Sequence, residues 1–213
     1  MSAEIRPKRV RADAERSTAR ILAAAADVLA VDPNATLERI ADEAGLARAT
    51  VHRRFASRQA LLDALTEQLN ERYLGGLDQA RVDTAPPVIA LYRLTEIVFD
   101  LKLGHRFAME LTADARTGFP ALSPEAAAGL DLLFTRLHEA GAITAASPAW
   151  CRRVYLALLH EVDRLPADSP DLAPAADEMG ARVELMFRTV LGALGGSAPQ
   201  SPSGHRPDHS PSQ

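Results

Sequence analysis

Arginine side chains concentrate in one short segment, and the cluster is suited to contacting a polyanion. Residues 47–58 carry Arg48, Arg53, Arg54 and Arg58 and contain no Asp or Glu. A guanidinium group can fork onto two phosphate oxygens or onto the edge of a guanine. The segment therefore favours nucleic-acid contacts, although charge alone leaves open that it is simply a solvated basic face.

A second basic cluster occupies the start of the chain, where residues 1–11 hold three Arg and one Lys against Glu4. The whole chain has a net charge of -4. Residues 1–75 are nearly neutral, and the rest carries the acidic excess. This asymmetry indicates that only one end of the protein contacts a polyanion.

Other kinds of site chemistry find little support in the sequence. His138-Glu139 and His160-Glu161 lack the second His four residues on that a zinc-protease helix needs. The six His residues show no metal-ligand spacing, and no Gly-rich phosphate loop or Ser-nucleophile motif is present. We therefore expect no catalytic residue, no metal and no cofactor, and a protein that is not an enzyme.

Composition limits the remaining classes. The single cysteine, Cys151, excludes a disulfide framework. It is either a buried inert thiol or, beside Arg152 and Arg153, a redox-sensing one. No apolar run of about 18 residues occurs, and the polar, basic start does not resemble a secretory signal. The expected location is the cytoplasm, with no membrane partner.

Hydrophobic residues recur at helical spacing, and no stretch alternates as a strand would. Thr36, Ser57, Ser123 and Ser147 are predicted helix N-caps. The first helix should start near Asp13, and Gly75-Gly76 should mark either the end of the fourth or a weak point in it. The later helices are predicted over 88–103, 105–116, 124–141, 148–165 and 175–194.

Residues 36–55, TLERIADEAGLARATVHRRF, meet the requirements of a helix-turn-helix. Ala41 is small where two helices must cross closely, and Gly45 tolerates the positive φ of the turn. Ile40, Ala44, Leu46 and Val51 can close the core beneath. The second helix then offers a polar face without acidic residues.

This stretch resembles the DNA-binding domain of tetracycline-repressor-like (TetR family) transcriptional regulators, most strongly over Ile21 to Leu65. Gly45, Leu46, Thr50 and Phe55 match the usual pattern of that family, and Arg48 stands where Lys is common. Three positions depart from the pattern. Ala47 replaces a Ser that caps the recognition helix, His52 replaces a near-signature Tyr, and Arg58 replaces a Lys.

The resemblance implies an all-α fold with about nine helices in total. A three-helix DNA-binding head with the helix-turn-helix would be followed by a helical ligand-binding and dimerisation domain. The boundaries would be a flexible basic arm at 1–12, the DNA-binding domain at 13–75, the regulatory and dimerisation domain at 76–195, and a disordered tail at 196–213.

The implied function is a ligand-responsive regulator, a homodimer that is released as a repressor from a palindromic double-stranded DNA operator by a small-molecule effector. The expected DNA contacts are Thr36, Ala47, Arg48, Thr50, His52, Arg53, Arg58, Arg9 and Arg11. The alternative is a helical binding or scaffold protein whose hairpin no longer reads DNA, an interpretation that Ala47 and His52 leave open.

Ligand and dimer contacts follow from the same resemblance. Polar-tipped or adaptable side chains inside apolar helices are the ligand candidates, namely Phe99, His105, Met109, Phe134, His138, Tyr155 and His160. The last two long helices would form the dimer seam through Trp150, Val154, Leu158, Met186, Val190 and Ala193. Each of these residues could equally belong to the core of one subunit.

Overall fold

A computed structural model describes the backbone of residues 5–111, 122–172 and 177–196, and the side chains of residues 13–101, 122–172 and 177–196. In this part of the chain all regular secondary structure is helical and no strand is present, as the sequence predicts. Its helices are α1 (Ile5–Val31), α2 (Leu37–Ala44), α3 (Arg48–Arg54), α4 (Arg58–Ala80), α5 (Pro87–Leu111), α6 (Pro124–Glu139), α7 (Pro148–Arg164) and α8 (Glu178–Ala193).

The predicted caps begin the helices to which they were assigned. Side-chain oxygens of Thr36, Ser57, Ser123 and Ser147 each accept a hydrogen bond from an amide of the first turn. Such a bond satisfies one of the backbone donors that a helix start leaves unpaired. Local sequence chemistry therefore sets where α2, α4, α6 and α7 begin.

The start of α1 differs from the sequence prediction. This helix begins at Ile5, so residues 5–12 continue a helix instead of forming the predicted flexible arm. Pro7 lies in the first turn, where its missing N–H breaks no helical hydrogen bond. Residues 1–4 and the predicted tail from residue 197 onward lie outside the described residues.

Glycines interrupt neither α4 nor α5. α4 continues through Gly75-Gly76 to Ala80. α5 is a single helix up to Leu111, where the sequence predicts two helices over 88–103 and 105–116. A Cβ at Gly76 would lie 3.0 Å from Ile97 Cγ2, so close packing between α4 and α5 uses this glycine. The described residues contain eight helices in place of about nine, because tertiary packing outweighs the weak helix propensity of glycine.

The described residues form two main hydrophobic cores, with a smaller cluster at Leu69. The core of the head gathers buried residues of α1, α2, α3 and the first half of α4, including Leu61 and Leu65. The core of the body begins at Leu77 on the same helix and continues through α5 to α8. The predicted domain boundary at residue 75 therefore falls inside a continuous helix that contributes to both cores.

The turn between α2 and α3 depends on Gly45, whose φ of 61° lies in the left-handed region. A Cβ there would also come within 3.2 Å of Arg20 Nη2. We expect Gly45→Ala to lower the free energy of unfolding by about 1–2 kcal/mol, because left-handed backbone is strained in a residue with a Cβ. Urea denaturation of purified protein measures the change.

Gly75→Ala is the matched control for that substitution. Gly75 lies within α4, and a Cβ there would meet nothing within 4 Å. Removing a helix-interior glycine should stabilise the protein by about 0.5–1 kcal/mol. Equal effects of the two substitutions would contradict the assigned role of Gly45.

Candidate DNA-binding surface and ligand pocket

The helix-turn-helix is assembled by hydrogen bonds around its turn. Gly45 N–H donates to Asp42 O at 3.2 Å, and Leu46 N–H donates to Ala41 O at 3.0 Å. From α1, Arg20 Nη2 donates to Ala44 O at 2.6 Å. The guanidinium thus satisfies a carbonyl that the end of α2 would leave unpaired, and it ties α1 to the turn.

α3 buries one side and exposes the other. Val51 is fully buried in the core of the head, and Phe55 at the C-terminal end of α3 is 6% exposed. Arg48, His52 and Arg53 are exposed on the remaining surface. A short helix anchored by its apolar side and basic on its outer side has the form required for entry into a major groove.

Acidic residues of α2 lie beside two of these side chains. Arg48 Nη2 is 3.9 Å from Asp42 Oδ2, and His52 Nε2 is 3.2 Å from Glu38 Oε1. The pKa of Glu38 is lowered, first by a hydrogen bond from its own backbone amide and then by the Thr36 hydroxyl and His52. The outer face of α3 is therefore basic, but carboxylates on the adjacent helix partly offset its charge.

A pocket lies in the body where α4, α5, α6 and α7 meet. Its empty volume, including its opening to solvent, is about 640 Å³. It is lined by Tyr73, Gly76, Leu77, Leu94, Val98, Leu101, Leu122, Ala126, Leu130, Tyr155, Leu156, Leu159 and His160. The lining is that of a small-molecule site, which is typically apolar with a few polar groups.

Two tyrosines and His160 supply the polar groups of this pocket. Tyr155 is buried, and its hydroxyl is 3.3 Å from Thr95 Oγ1, which donates to Leu91 O. Burial raises the pKa of Tyr155 to about 12 and also raises the pKa of Tyr73, so both phenols are neutral. The lining residues include no Asp, Glu, Lys or Arg, so the described walls carry no permanent charge.

Comparison with known proteins shows to which family the chain belongs. Residues 21–65 match the family model described as "Bacterial regulatory proteins, tetR family". The transcriptional repressor LfrR of Mycolicibacterium smegmatis is 34% identical over 155 residues, which cover 68% of this chain and 76% of the relative. The chain belongs to the TetR family. Its function is accordingly that of a ligand-responsive, DNA-binding transcriptional regulator, as the sequence predicts.

Solved structures show the same fold. The LfrR crystal structure from Mycobacterium smegmatis in complex with proflavine has a TM-score of 0.59 and 29% identity, covering 86% of this chain and 99% of that one. PfmR from Thermus thermophilus has a TM-score of 0.59 at 22% identity, covering 79% and 97%. The second resemblance shows the shared fold alone. The agreement extends over both the head and the body of this TetR-family chain.

The predicted DNA contacts of this TetR-family regulator differ in how accessible they are. Thr50 is half-buried, whereas Thr36 and Ala47 are exposed. Ala47 starts α3 without a side-chain cap, as its replacement of Ser implies. The side chains of Arg9 and Arg11 lie outside the described residues. All of these contacts remain predictions.

Arg58 has a structural partner that the sequence did not suggest. Its Nη2 donates to the Pro33 carbonyl, which joins the start of α4 to the loop before α2. The side chain is half-buried. A phosphate contact by Arg58 remains a prediction, and it would have to share the guanidinium with this loop.

Two of the predicted ligand residues, Tyr155 and His160, line the pocket. Phe99 and Phe134 are core residues, each 1% exposed, and His138 is exposed at the surface; none of the three lines it. The side chains of His105 and Met109 lie outside the described residues. The sequence did not single out Tyr73, Gly76 or the lining leucines, because apolar residues recur at the same spacing whether they line a pocket or fill a core.

The predicted dimer residues divide into buried and accessible ones. Met186 and Val190 are 0% exposed and pack in the core of their own subunit, so the prediction that they form the seam is wrong. Their positions on α8 face α5 and α7 instead of solvent. Trp150 is 52% exposed, Val154 and Leu158 are half-buried, and Ala193 is exposed, so these four stay available.

The structure gives little support to a redox-sensing role for Cys151. Cys151 is fully buried, and burial raises the pKa of its thiol, which favours the inert alternative over a redox sensor. Among the described residues, no group of three or more His, Cys, Asp or Glu could hold a metal ion. In the same part of the chain, no helix is long and apolar enough to cross a membrane.

Proposed function

We propose that this chain is a homodimeric repressor that binds a palindromic operator through α3 and is released by a small apolar effector. The proposal is supported mainly by the position of α4, which joins the head to the pocket. Its Leu61 and Leu65 belong to the core of the head, and its Tyr73, Gly76 and Leu77 line the pocket. LfrR, its relative, is a transcriptional repressor, and one LfrR structure holds proflavine.

The exposed face of α3 supports specific contacts. Arg48 is placed to fork onto a guanine edge, with Thr50 and His52 contacting bases or phosphates. Arg53, Arg58 and the backbone amides at helix starts would hold phosphates and set the register. Arg9 and Arg11 would follow the DNA backbone or enter a minor groove. Such contacts make the affinity depend strongly on salt.

A homodimer would present two such helices to successive major grooves, and hence a palindromic site. The accessible surface of α7 supports a seam, because Trp150, Val154 and Leu158 follow one another at intervals of four residues. On α8, Gly192 and Ala193 are small and exposed, which permits close approach of a second helix. We therefore propose a seam formed by these surfaces of α7 and α8.

The effector would act by shifting the position of α4. A ligand between α4 and α7 contacts Tyr73 and Leu77 on one side and Tyr155 and Leu159 on the other. Because α4 is continuous, a displacement near Leu77 is carried to Leu65 in the head. The ligand would then favour a population of dimers whose α3 helices no longer match the spacing of the operator.

Pocket chemistry indicates the class of effector. Leucine, valine and alanine side chains form most of the wall, with neutral phenols at Tyr73 and Tyr155 and the imidazole of His160. These favour an apolar, flat or aromatic compound that can exchange hydrogen bonds with a hydroxyl. A transcriptional regulator must reach the DNA, so the proposed location is the cytoplasm. The proposed role includes no catalysis.

Selection of genomic fragments with purified protein tests operator binding. We expect enrichment of fragments with an inverted repeat, and Arg48→Ala should weaken binding to them by about 1–3 kcal/mol if Arg48 reads a base. Gel shifts of wild type and variant against selected and scrambled duplexes provide the measurement.

Arg54→Ala is the matched control, because Arg54 is exposed at the end of α3 and has not been assigned to a base. Its loss should weaken binding to both duplexes similarly. An unchanged sequence preference in Arg48→Ala would remove Arg48 from base readout. A folded wild-type dimer that shifts no DNA at low salt would favour the scaffold alternative.

Ala126→Leu tests the pocket. Ala126 is 1% exposed and lines it, so the larger side chain should occupy ligand space and reduce binding of an aromatic probe at least about tenfold. Proflavine is a suitable fluorescent probe, since it occupies the related LfrR. Titration gives the dissociation constant, and gel shifts show whether proflavine releases the selected DNA.

Ala128→Leu makes the same change two residues along α6, at an exposed position outside the lining. It should leave proflavine binding and DNA release unchanged. Equal loss in both variants, or release that survives Ala126→Leu, would place the ligand elsewhere.

A further inference from the structure

The recognition helix carries its charge beside a matched pair of carboxylates. Glu38 and Asp42 lie four residues apart on α2, and their partners His52 and Arg48 lie four residues apart on α3. Residues at this spacing share a helix face, so an acidic edge of α2 runs along a basic edge of α3. The Arg48–Asp42 ion pair and the His52–Glu38 hydrogen bond therefore lie side by side.

All four side chains are accessible to solvent and therefore to DNA. The exposed fractions are 65% for Arg48 and 62% for Asp42, and 50% for His52 and 42% for Glu38. Ion pairs this exposed stabilise a fold by little, so their effect on the stability of the head is small. Their larger effect is on the electrostatic potential that a phosphate meets as it approaches α3.

We propose that Glu38 and Asp42 are specificity-determining residues, which hold His52 in a hydrogen bond and Arg48 in an ion pair and thereby suppress binding to non-operator DNA. The proposal rests on the proposed function, in which α3 reads the operator. A random duplex offers phosphate contacts without matched base-edge contacts. Its phosphates must compete with the carboxylates for Arg48 and His52, and the carboxylates repel them. An operator adds base-edge contacts that compensate for the lost pairs.

Neutral amides at these positions would remove the competition without changing side-chain size. Glu38→Gln should raise affinity for a non-operator duplex about three- to tenfold at low salt, with a smaller gain for the operator. The ratio of the two affinities should therefore fall. In Asp42→Asn, the freed Arg48 guanidinium should also make the salt dependence of non-operator binding steeper, by about one unit of log K per log salt. Asp42→Asn should act in the same direction.

Glu43→Gln is the control for net charge. Glu43 is exposed on the same helix, and its replacement changes the total charge by the same amount. It should leave the affinity ratio near the wild-type value. A double-mutant cycle of Glu38→Gln with His52→Gln separates pairing from helix stability, because the effect of Glu38→Gln should shrink when its partner is absent.

The experiment measures anisotropy of two duplexes of equal length and base composition, one selected by the wild-type protein and one scrambled, over a range of salt. Circular dichroism checks that each variant is folded. If the wild type binds both duplexes equally, the proposed function fails and this inference fails with it. If the wild type prefers the selected duplex, equal effects of Glu38→Gln and Glu43→Gln, or an unchanged ratio, would overturn this inference alone.

Discussion

Helix α4 has to satisfy two hydrophobic cores at once, and the rest of the structure is arranged around that requirement. Its first half packs Leu61 and Leu65 under the helix-turn-helix, and its last turns place Leu77 and Ala80 in the body. A Cβ at Gly129 would lie 2.6 Å from Leu77 Cδ1, so α6 and α4 are in intimate contact. The proposed transmission from pocket to head relies on this continuity, because packed cores resist small displacements.

The recognition surface is a balance of charges and not merely a basic patch. Arginines and His52 face outward from α3, while carboxylates of α2 lie within ion-pairing distance. In solvent, such pairs are weak and readily exchanged for phosphate. If α3 reads the operator as proposed, residues of α2 that contact its side chains would adjust affinity and selectivity in addition to those side chains themselves.

The pocket shows how far residue types can predict a ligand site. Tyr155 and His160 could be selected from the sequence because a polar tip in an apolar helix is unusual. Phe99 and Phe134 were selected on similar grounds, yet they fill the core, with the ring centroids of Phe134 and Tyr155 5.9 Å apart. Whether an apolar side chain faces a cavity or another side chain depends on how helices pack, and periodicity is the same in both cases.

Local chemistry in the sequence determined the starts of α2, α4, α6 and α7, the turn at Gly45 and the exposed basic face of α3. Caps, a left-handed glycine and amphipathic spacing act over only a few residues. Only tertiary structure decided that α4 and α5 continue through glycines, that Met186 and Val190 belong inside one subunit, and that Arg58 reaches Pro33. Those outcomes depend on contacts between residues distant in sequence. The energies of such contacts exceed the small local preferences that a single sequence reveals.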